Sequence, residues 1–191
     1  MRFHIPFMSS SKQRHKHVIE LKLRDIHQLF NSMDPAPFND KDLDSDAEEF
    51  IVSWSNEFPP DDPVTLRIHL EQPPDDDPSD LIREAIHNYF AYRSKLNYLE
   101  FMRLMRQGRA SLLIGLVFLA ICLLMSKMLL PYGASTWAGF LREGLSIAGW
   151  VAMWRPMQIY LYDWWPLYGL GRTYNKLSKM PVDVILKSKT I

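Results

Sequence analysis

Residues 110–130, ASLLIGLVFLAICLLMSKMLL, are the most informative part of this chain. Seventeen of these twenty-one residues are apolar, and no charge occurs between Arg109 and Lys127. Twenty-one helical residues extend roughly 31 Å, which matches the hydrocarbon thickness of a bilayer. The run lies past the middle of the 191-residue chain, so it is not a cleaved signal peptide. It predicts a transmembrane helix, with the lipid bilayer as the first expected partner.

A second crossing is predicted over residues 135–154, which are rich in Trp, Ala and Gly but include Arg142 and Glu143. A charge inside the membrane costs roughly 2.5 to 3.5 kcal/mol on insertion scales. An alternative register, 143–162 with a kink at its proline, places Arg155 in the bilayer instead. The preferred register gives a two-helix hairpin that occupies residues 109–155.

The hairpin offers a partner for its buried charges. Residues 131–135 are typical of a turn, and a turn centred near Ser135 leaves Lys127 and Glu143 equally far from it. The two side chains then lie at similar depth and are expected to form an intramembrane ion pair. The small residues that would allow close helix approach are Gly139, Gly144, Ala148 and Gly149.

Residues 156–168 predict an amphipathic helix, with Pro166 expected to end it. Its Trp- and Tyr-rich face is typical of a helix that lies in the headgroup layer; docking on the soluble domain is the alternative. The expected membrane-interface anchors are Arg103, Arg106, Arg109, Trp154, Trp164 and Trp165.

Charge is segregated along the chain. Residues 34–80 hold fifteen acidic and two basic residues, although the whole chain has 22 of each sign. Basic residues concentrate in the N-terminal arm 1–16, before the apolar run, and around the tail 169–191. The positive-inside rule therefore predicts that both termini are cytoplasmic in a multi-pass protein.

Residues 17–108 predict a small α+β cytoplasmic domain of about three strands and two to three helices. Residues 17–23 and 64–70 alternate like half-buried strands, and 182–186 is a possible third strand of the same sheet. If it joins the sheet, the chain crosses the membrane and returns to complete its own fold.

Two helix starts are visible in this domain. Ser45 to Glu48 fits a capping box, and the apolar positions expected to share one face of that helix are Ala47, Phe50, Ile51, Trp54 and Phe58. Asp77 is expected to cap a longer helix with Pro78 in its first turn. That helix is predicted to continue towards Gly108, either as a stalk or packed on the sheet.

No reaction chemistry is predicted. The acidic run that begins at Asp40 lacks the glycine and the final glutamate of a calcium loop. His15 and His17 lack the further ligands that a metal site needs. There is no phosphate loop and no nucleophile elbow. The expectation is a non-enzymatic protein with no cofactor, no metal, no nucleic-acid partner and no identified small-molecule substrate.

Residues 23–38, 42–44, 47–50 and 154–166 resemble a family of uncharacterised bacterial inner-membrane proteins. The resemblance implies a bacterial inner-membrane setting and no known activity. Within it, Asp34, Pro35, Pro37 and Phe38 form a rigid, extended turn that is a candidate partner surface. The expected role is a membrane-tethered adaptor or an accessory subunit of a larger assembly; the alternative is a homo-oligomeric channel or transport component.

Overall fold

A computed structural model of the chain describes residues 17–31, 35, 41–59, 62–72, 77–132 and 136–186. The chain folds as two compact units. A sheet unit comprises Met1–Tyr92 with Thr173–Ile191, and a helical unit comprises Arg93–Arg172. The chain leaves the sheet unit along one helix and re-enters it along another, so both ends of the helical unit connect to the same sheet unit.

The sheet unit contains a three-stranded parallel sheet in the order β1-β2-β3. These strands are His17–Leu23, Val64–Leu70 and Val182–Leu186. All three predicted strands are confirmed, and β3 pairs with β2. The end of the chain therefore completes a sheet that its beginning starts, giving the predicted α+β class.

The sheet has one buried and one largely exposed face. On the central strand Leu66 and Ile68 are 0% exposed. On the opposite face, Glu20 and Arg67 form an ion pair at 3.2 Å. The period-two alternation in the sequence predicted this difference between the faces.

The first helix, α1, spans Ser45–Glu57, and its cap is Asp44, whose carboxylate accepts a hydrogen bond from the Asp46 amide at 3.0 Å. The predicted capping box centred on Ser45 is therefore wrong by one residue. Asp and Ser are nearly equivalent as caps, so the pattern did not distinguish the two neighbours.

The predicted apolar face of α1 is also wrong in part. Ala47, Ile51 and Ser55, spaced by four residues, are buried, whereas Phe50 and Trp54 are 36% and 43% exposed. The five predicted positions span an arc of about 100°, which is a normal width for one packing face. The helix is rotated so that Ser55, on the far side of Ile51, packs inwards, and Phe50 and Trp54 face outwards.

The long helix α2 spans Ser79–Met128 and is continuous over 50 residues. As predicted, Asp77 caps it, since its Oδ1 accepts a hydrogen bond from the Ser79 amide at 3.0 Å. In the sheet unit, Ile82 and Phe90 are 0% exposed, so this part of α2 packs in the core rather than forming a stalk. The helix continues through Gly108 without a break.

Three further helices follow: α3 (Thr136–Ala152), α4 (Trp154–Gln158) and α5 (Trp164–Leu177). One π-helical turn, Ile159–Asp163, joins α4 to α5. The prediction that Pro166 ends a helix is wrong, because Pro166 is the third residue of α5. Pro166 follows directly after the π-helical turn, where the regular i to i−4 hydrogen bonds are interrupted, so its missing N–H is tolerated there.

Candidate docking surface and membrane segment

The outward face of α1 carries an exposed aromatic pair among carboxylates. The rings of Phe50 and Trp54 lie 5.9 Å apart between centroids. With Asp46, Glu49 and Ser53 they line a shallow surface cavity of about 310 Å³. Within the described residues, neither the Asp46 nor the Glu49 carboxylate pairs with a cation. We call these five residues the α1 surface.

The predicted partner surface at residues 34–38 is described only at Pro35, which is exposed; Asp34, Pro37 and Phe38 lie outside the described residues. The two ends of this segment are held side by side. An antiparallel bridge joins Phe30 to Leu43, and the Asp44 amide donates to the Leu29 carbonyl at 3.0 Å. The loop is thus anchored directly before the helix that carries the α1 surface.

The helical unit exposes a large apolar surface. On α2, Leu113, Ile114 and Phe118 are 66%, 68% and 44% exposed, and on α3 Phe140 and Trp150 are 82% and 67% exposed. Among the described residues, α2 is the one helix that is long and apolar enough to cross a membrane. The apolar part of α2 therefore exposes its side chains to the medium around the protein.

The chain returns along α2 in a single antiparallel register, which four contacts define. A methyl group added at Gly149 would lie 3.3 Å from Cys122 Cβ, and one at Gly115 would lie 3.1 Å from the Ala152 carbonyl oxygen. Closer to the N-terminus of α2, a methyl group added at Gly108 would lie 2.9 Å from Ile159 Cγ2. Finally, the Asn97 amide donates to the Leu167 carbonyl at 2.8 Å. Residues 149–167 therefore run antiparallel to residues 97–122 of α2.

Small residues make this close approach possible. Gly108, Gly115 and Cys122 recur every seven residues on α2 and are buried, as expected for one seam of a helix pair. Gly149 is their counterpart on α3. The predicted contacts of Gly139 and Gly144 are absent within the described residues, since nothing lies within 4 Å of a methyl group added at either position.

The same register locates the predicted ion pair. Glu143 lies six residues before Gly149, and six residues beyond Leu119 and Cys122 lie Met125 and Met128. Lys127 falls between them, so Lys127 and Glu143 are at matching depth along the two helices. Both are exposed, and no ion pair joins them in the part of the chain that the structure describes. The Lys127–Glu143 ion pair within one chain stays a prediction.

Five of the six predicted interface anchors gather at the Arg109 end of the apolar segment. Trp154 does not, because Ala152, two residues before it, meets Gly115 inside that segment. Arg103, Arg106 and Arg109 are exposed on α2. Trp164 and Trp165 stack at 4.5 Å between centroids, and the Trp164 indole donates to the Tyr160 carbonyl at 2.8 Å. Because Gly108 contacts Ile159, both groups lie along the same part of α2.

The segment 156–168 runs back along α2, while its aromatic face remains exposed. Pro156 and Ile159 are buried, and Met157, Leu161 and Trp165 are 49%, 52% and 61% exposed. Its position in a headgroup layer stays a prediction. One alternative placed Arg155 in the bilayer. In the structure the Arg155 guanidinium pairs with Asp163 at 3.4 Å, so it reaches towards the Arg109 end of the apolar segment.

One polar cluster was missed at the sequence level. The Tyr89 hydroxyl donates to Glu48 at 2.6 Å and the Tyr174 hydroxyl donates to the same carboxylate at 3.0 Å. The three residues come from α1, α2 and α5 and are 41 and 126 positions apart, so no local pattern reports them. They hold the sheet unit together, since both tyrosines are buried.

No group of three or more His, Cys, Asp or Glu residues that could hold a metal occurs among the described residues. His17 stacks on Phe58 at 4.1 Å and contacts Asp62 at 3.3 Å, whereas His15 lies outside the described residues. Comparison with protein-family models, with characterised proteins and with solved structures found no match.

Proposed function

We propose that the chain is an integral membrane protein that tethers its sheet unit to the bacterial inner membrane, where that unit docks a protein partner. The role is an adaptor or an accessory subunit rather than an enzyme. The observation that carries the proposal is the exposed apolar surface of the helical unit, joined at both of its ends to a folded sheet unit.

The size of the apolar surface supports insertion in lipid. Soluble proteins seldom expose a continuous apolar patch larger than a few hundred Å². On α2 the exposed apolar residues run from Leu113 to Met128, over four helical turns, and include every outward position except Lys127. Lipid tails would cover this surface without any cost of exposing it to water.

The sheet topology supports an even number of crossings. Unless the sheet comes apart, β1 and β3 must lie on one side of the membrane, because both belong to one sheet with β2. If α2 crosses between 110 and 128, the chain must cross back before it re-enters the sheet unit. The stretch that accompanies α2 over this length is α3 followed by α4, so these two helices together form the proposed return crossing.

Basic residues orient this arrangement. Arg103, Arg106 and Arg109 flank the end of the apolar segment that is nearer to the sheet unit along the chain. By the positive-inside rule, that end is cytoplasmic, and both termini are cytoplasmic with it.

The α1 surface supports a partner with a basic segment. Exposed aromatic rings supply apolar contact and attract cations over their faces. Asp46 and Glu49 beside Phe50 and Trp54 are free to pair with Lys or Arg side chains of another protein. Tryptophan is among the residues that most often dominate the binding energy of a protein interface.

The test is quantitative affinity capture from a mild detergent extract of cells that express the chain. We expect proteins that co-purify with the wild type to be lost with Phe50→Ala/Trp54→Ala and with Glu49→Lys. The matched control is Leu81→Ala, which shortens an apolar side chain that is 46% exposed in the sheet unit but outside the α1 surface. Recovery of the bait alone, or of the same proteins with every variant, would contradict the adaptor role.

A further inference from the structure

The proposed insertion leaves two opposite charges unpaired within a segment otherwise suited to lipid. Lys127 and Glu143 lie at matching depth, are exposed, and form no ion pair within the described residues. A charged side chain in this setting is costly unless it finds an opposite charge or water. Lys127 and Glu143 therefore each need an opposite charge or water from outside the described residues.

Both charges lie on the same side of the α2–α3 pair. At about 100° per residue, Glu143 is displaced about 120° around α3 from Gly149, and Lys127 about 140° around α2 from Cys122. The two helices are antiparallel, so displacements of the same sign carry both residues to one side. This side is distinct from the glycine seam that joins α2 to α3.

Two helical stripes make up this side, and each repeats with spacings of four, three and four residues. The α2 stripe is Leu116, Ala120, Leu123 and Lys127, and the α3 stripe is Gly139, Glu143, Ser146 and Trp150. Such spacing is typical of a helix–helix packing seam. A methyl group added at Gly139 would meet nothing within 4 Å, and Leu116, Leu123 and Trp150 are exposed, so no described residue of the chain occupies this seam.

We propose that a second copy of this chain occupies the seam, related to the first by a two-fold axis along the membrane normal. All copies insert with the same orientation, so Lys127 and Glu143 of both copies lie at one depth. The two-fold axis then brings Lys127 of each copy opposite Glu143 of the other, forming two reciprocal ion pairs. A two-fold interface requires such a self-complementary patch.

The apolar part of the seam is complementary in the same register. Where Lys127 lies opposite Glu143 of the other copy, Leu123 falls opposite the small Ser146, and Ala120 falls opposite the large Trp150. Large side chains thus meet small ones along the contact, which allows close packing of helices in lipid. The complementarity rests on the proposed membrane insertion, since in water the same charges would simply be hydrated.

The test uses the full-length chain in lipid nanodiscs. We expect the wild type to have a protein mass near 44.8 kDa, twice the 22.4 kDa of one chain. Lys127→Glu alone and Glu143→Lys alone are each expected to be monomeric, because each brings like charges together. A mixture of these two variants restores both opposite-charge contacts, and we expect it to form a mixed dimer that co-purifies through a tag on either chain.

The mixed dimer separates pairing between chains from pairing within one chain, since each variant alone would keep an intramolecular clash. Arg142→Gln is the matched control, because it removes a neighbouring charge outside the stripe and is expected to leave the dimer intact. A monomeric wild type, a ring larger than a dimer, or a mixture that stays monomeric would overturn the proposal. Resistance to carbonate extraction is measured in parallel, so that loss of membrane insertion, which would refute the proposed function, is distinguishable from loss of the dimer.

Discussion

At the scale of single residues, Glu48 joins three distant helices through two tyrosine hydroxyls. Hydrogen bonds to a charged group contribute about 1.5 to 3 kcal/mol each, and burial of Tyr89 and Tyr174 leaves water little access to replace them. Glu48 thus accepts hydrogen bonds from two other helices, while Asp44 caps α1. Its members could not be paired from sequence, because their separation along the chain carries no periodic signal.

Tyr174→Phe is expected to lower the free energy of unfolding of the sheet unit by about 1.5 to 3 kcal/mol, since one hydrogen bond to a carboxylate is lost. Tyr92→Phe is the control, because the Tyr92 side chain is 53% exposed. Chemical denaturation followed by near-ultraviolet circular dichroism measures both variants. Equal midpoints for the two variants would show that the cluster does not contribute to stability.

Asp77 makes the start of α2 sensitive to acid. Hydrogen bonds from the Ser79 hydroxyl and then from the Ser79 amide lower the pKa of Asp77 below its ordinary value. The folded state therefore favours the ionised cap, whose contribution is present above the unfolded pKa and is lost as the pH falls through the lowered folded pKa.

We expect wild type to unfold at a higher temperature than Asp77→Asn at pH 7, and the difference to shrink as the pH falls to about 3. The asparagine keeps a capping oxygen but does not titrate. Thermal unfolding at a series of pH values measures this difference in unfolding temperature. A difference that stays constant, or increases in acid, would show that ionised Asp77 does not stabilise the start of α2.

At the scale of elements, hydrophobic periodicity predicted the three strands and both soluble helices, and these are the segments where one face alone is buried. The buried face of a helix was harder to predict. Periodicity identified apolar residues on α1, but the protein buries Ala47 and Ile51 and exposes Phe50 and Trp54. Which side of an apolar arc packs inwards depends on neighbouring elements, and that information is absent from the helix's own sequence.

The glycine seam provides the sharpest test of the helical unit. Alanine is preferred over glycine within a helix by about 1 kcal/mol, so Gly144→Ala, with nothing within 4 Å of the new methyl group, is expected to stabilise. Gly115→Ala places its methyl 3.1 Å from the Ala152 carbonyl and 3.2 Å from Met153 Sδ. Because overpacking costs about 1 to 3 kcal/mol, this variant is expected to destabilise. Thermal unfolding in detergent compares them, and shifts of the same sign would contradict the seam.

At the scale of the whole molecule, the sequence predicted a third strand near the chain's end in the same sheet, and β3 is that strand. Local anchors reinforce the return: the His87 ring contacts the Met180 carbonyl at 2.8 Å, and Arg83 donates to the Val182 carbonyl at 3.4 Å. The parallel direction of all three strands could not be predicted, because strand direction depends on how the intervening helices cross the sheet. The membrane crossing of α3 with α4 remains part of the proposal.

The shared sheet makes topology and folding inseparable, and reporter fusions test both. We expect fluorescent reporters that mature only in the cytoplasm to be active at both termini, and a phosphatase that is active only outside to work when inserted after Tyr132, between α2 and α3. The reciprocal set, phosphatase at the termini and fluorescent protein after Tyr132, serves as the control and is expected to be inactive. Termini on opposite sides would place β1 and β3 in different compartments, which β2 cannot bridge, so that outcome would refute the sheet as well as the hairpin.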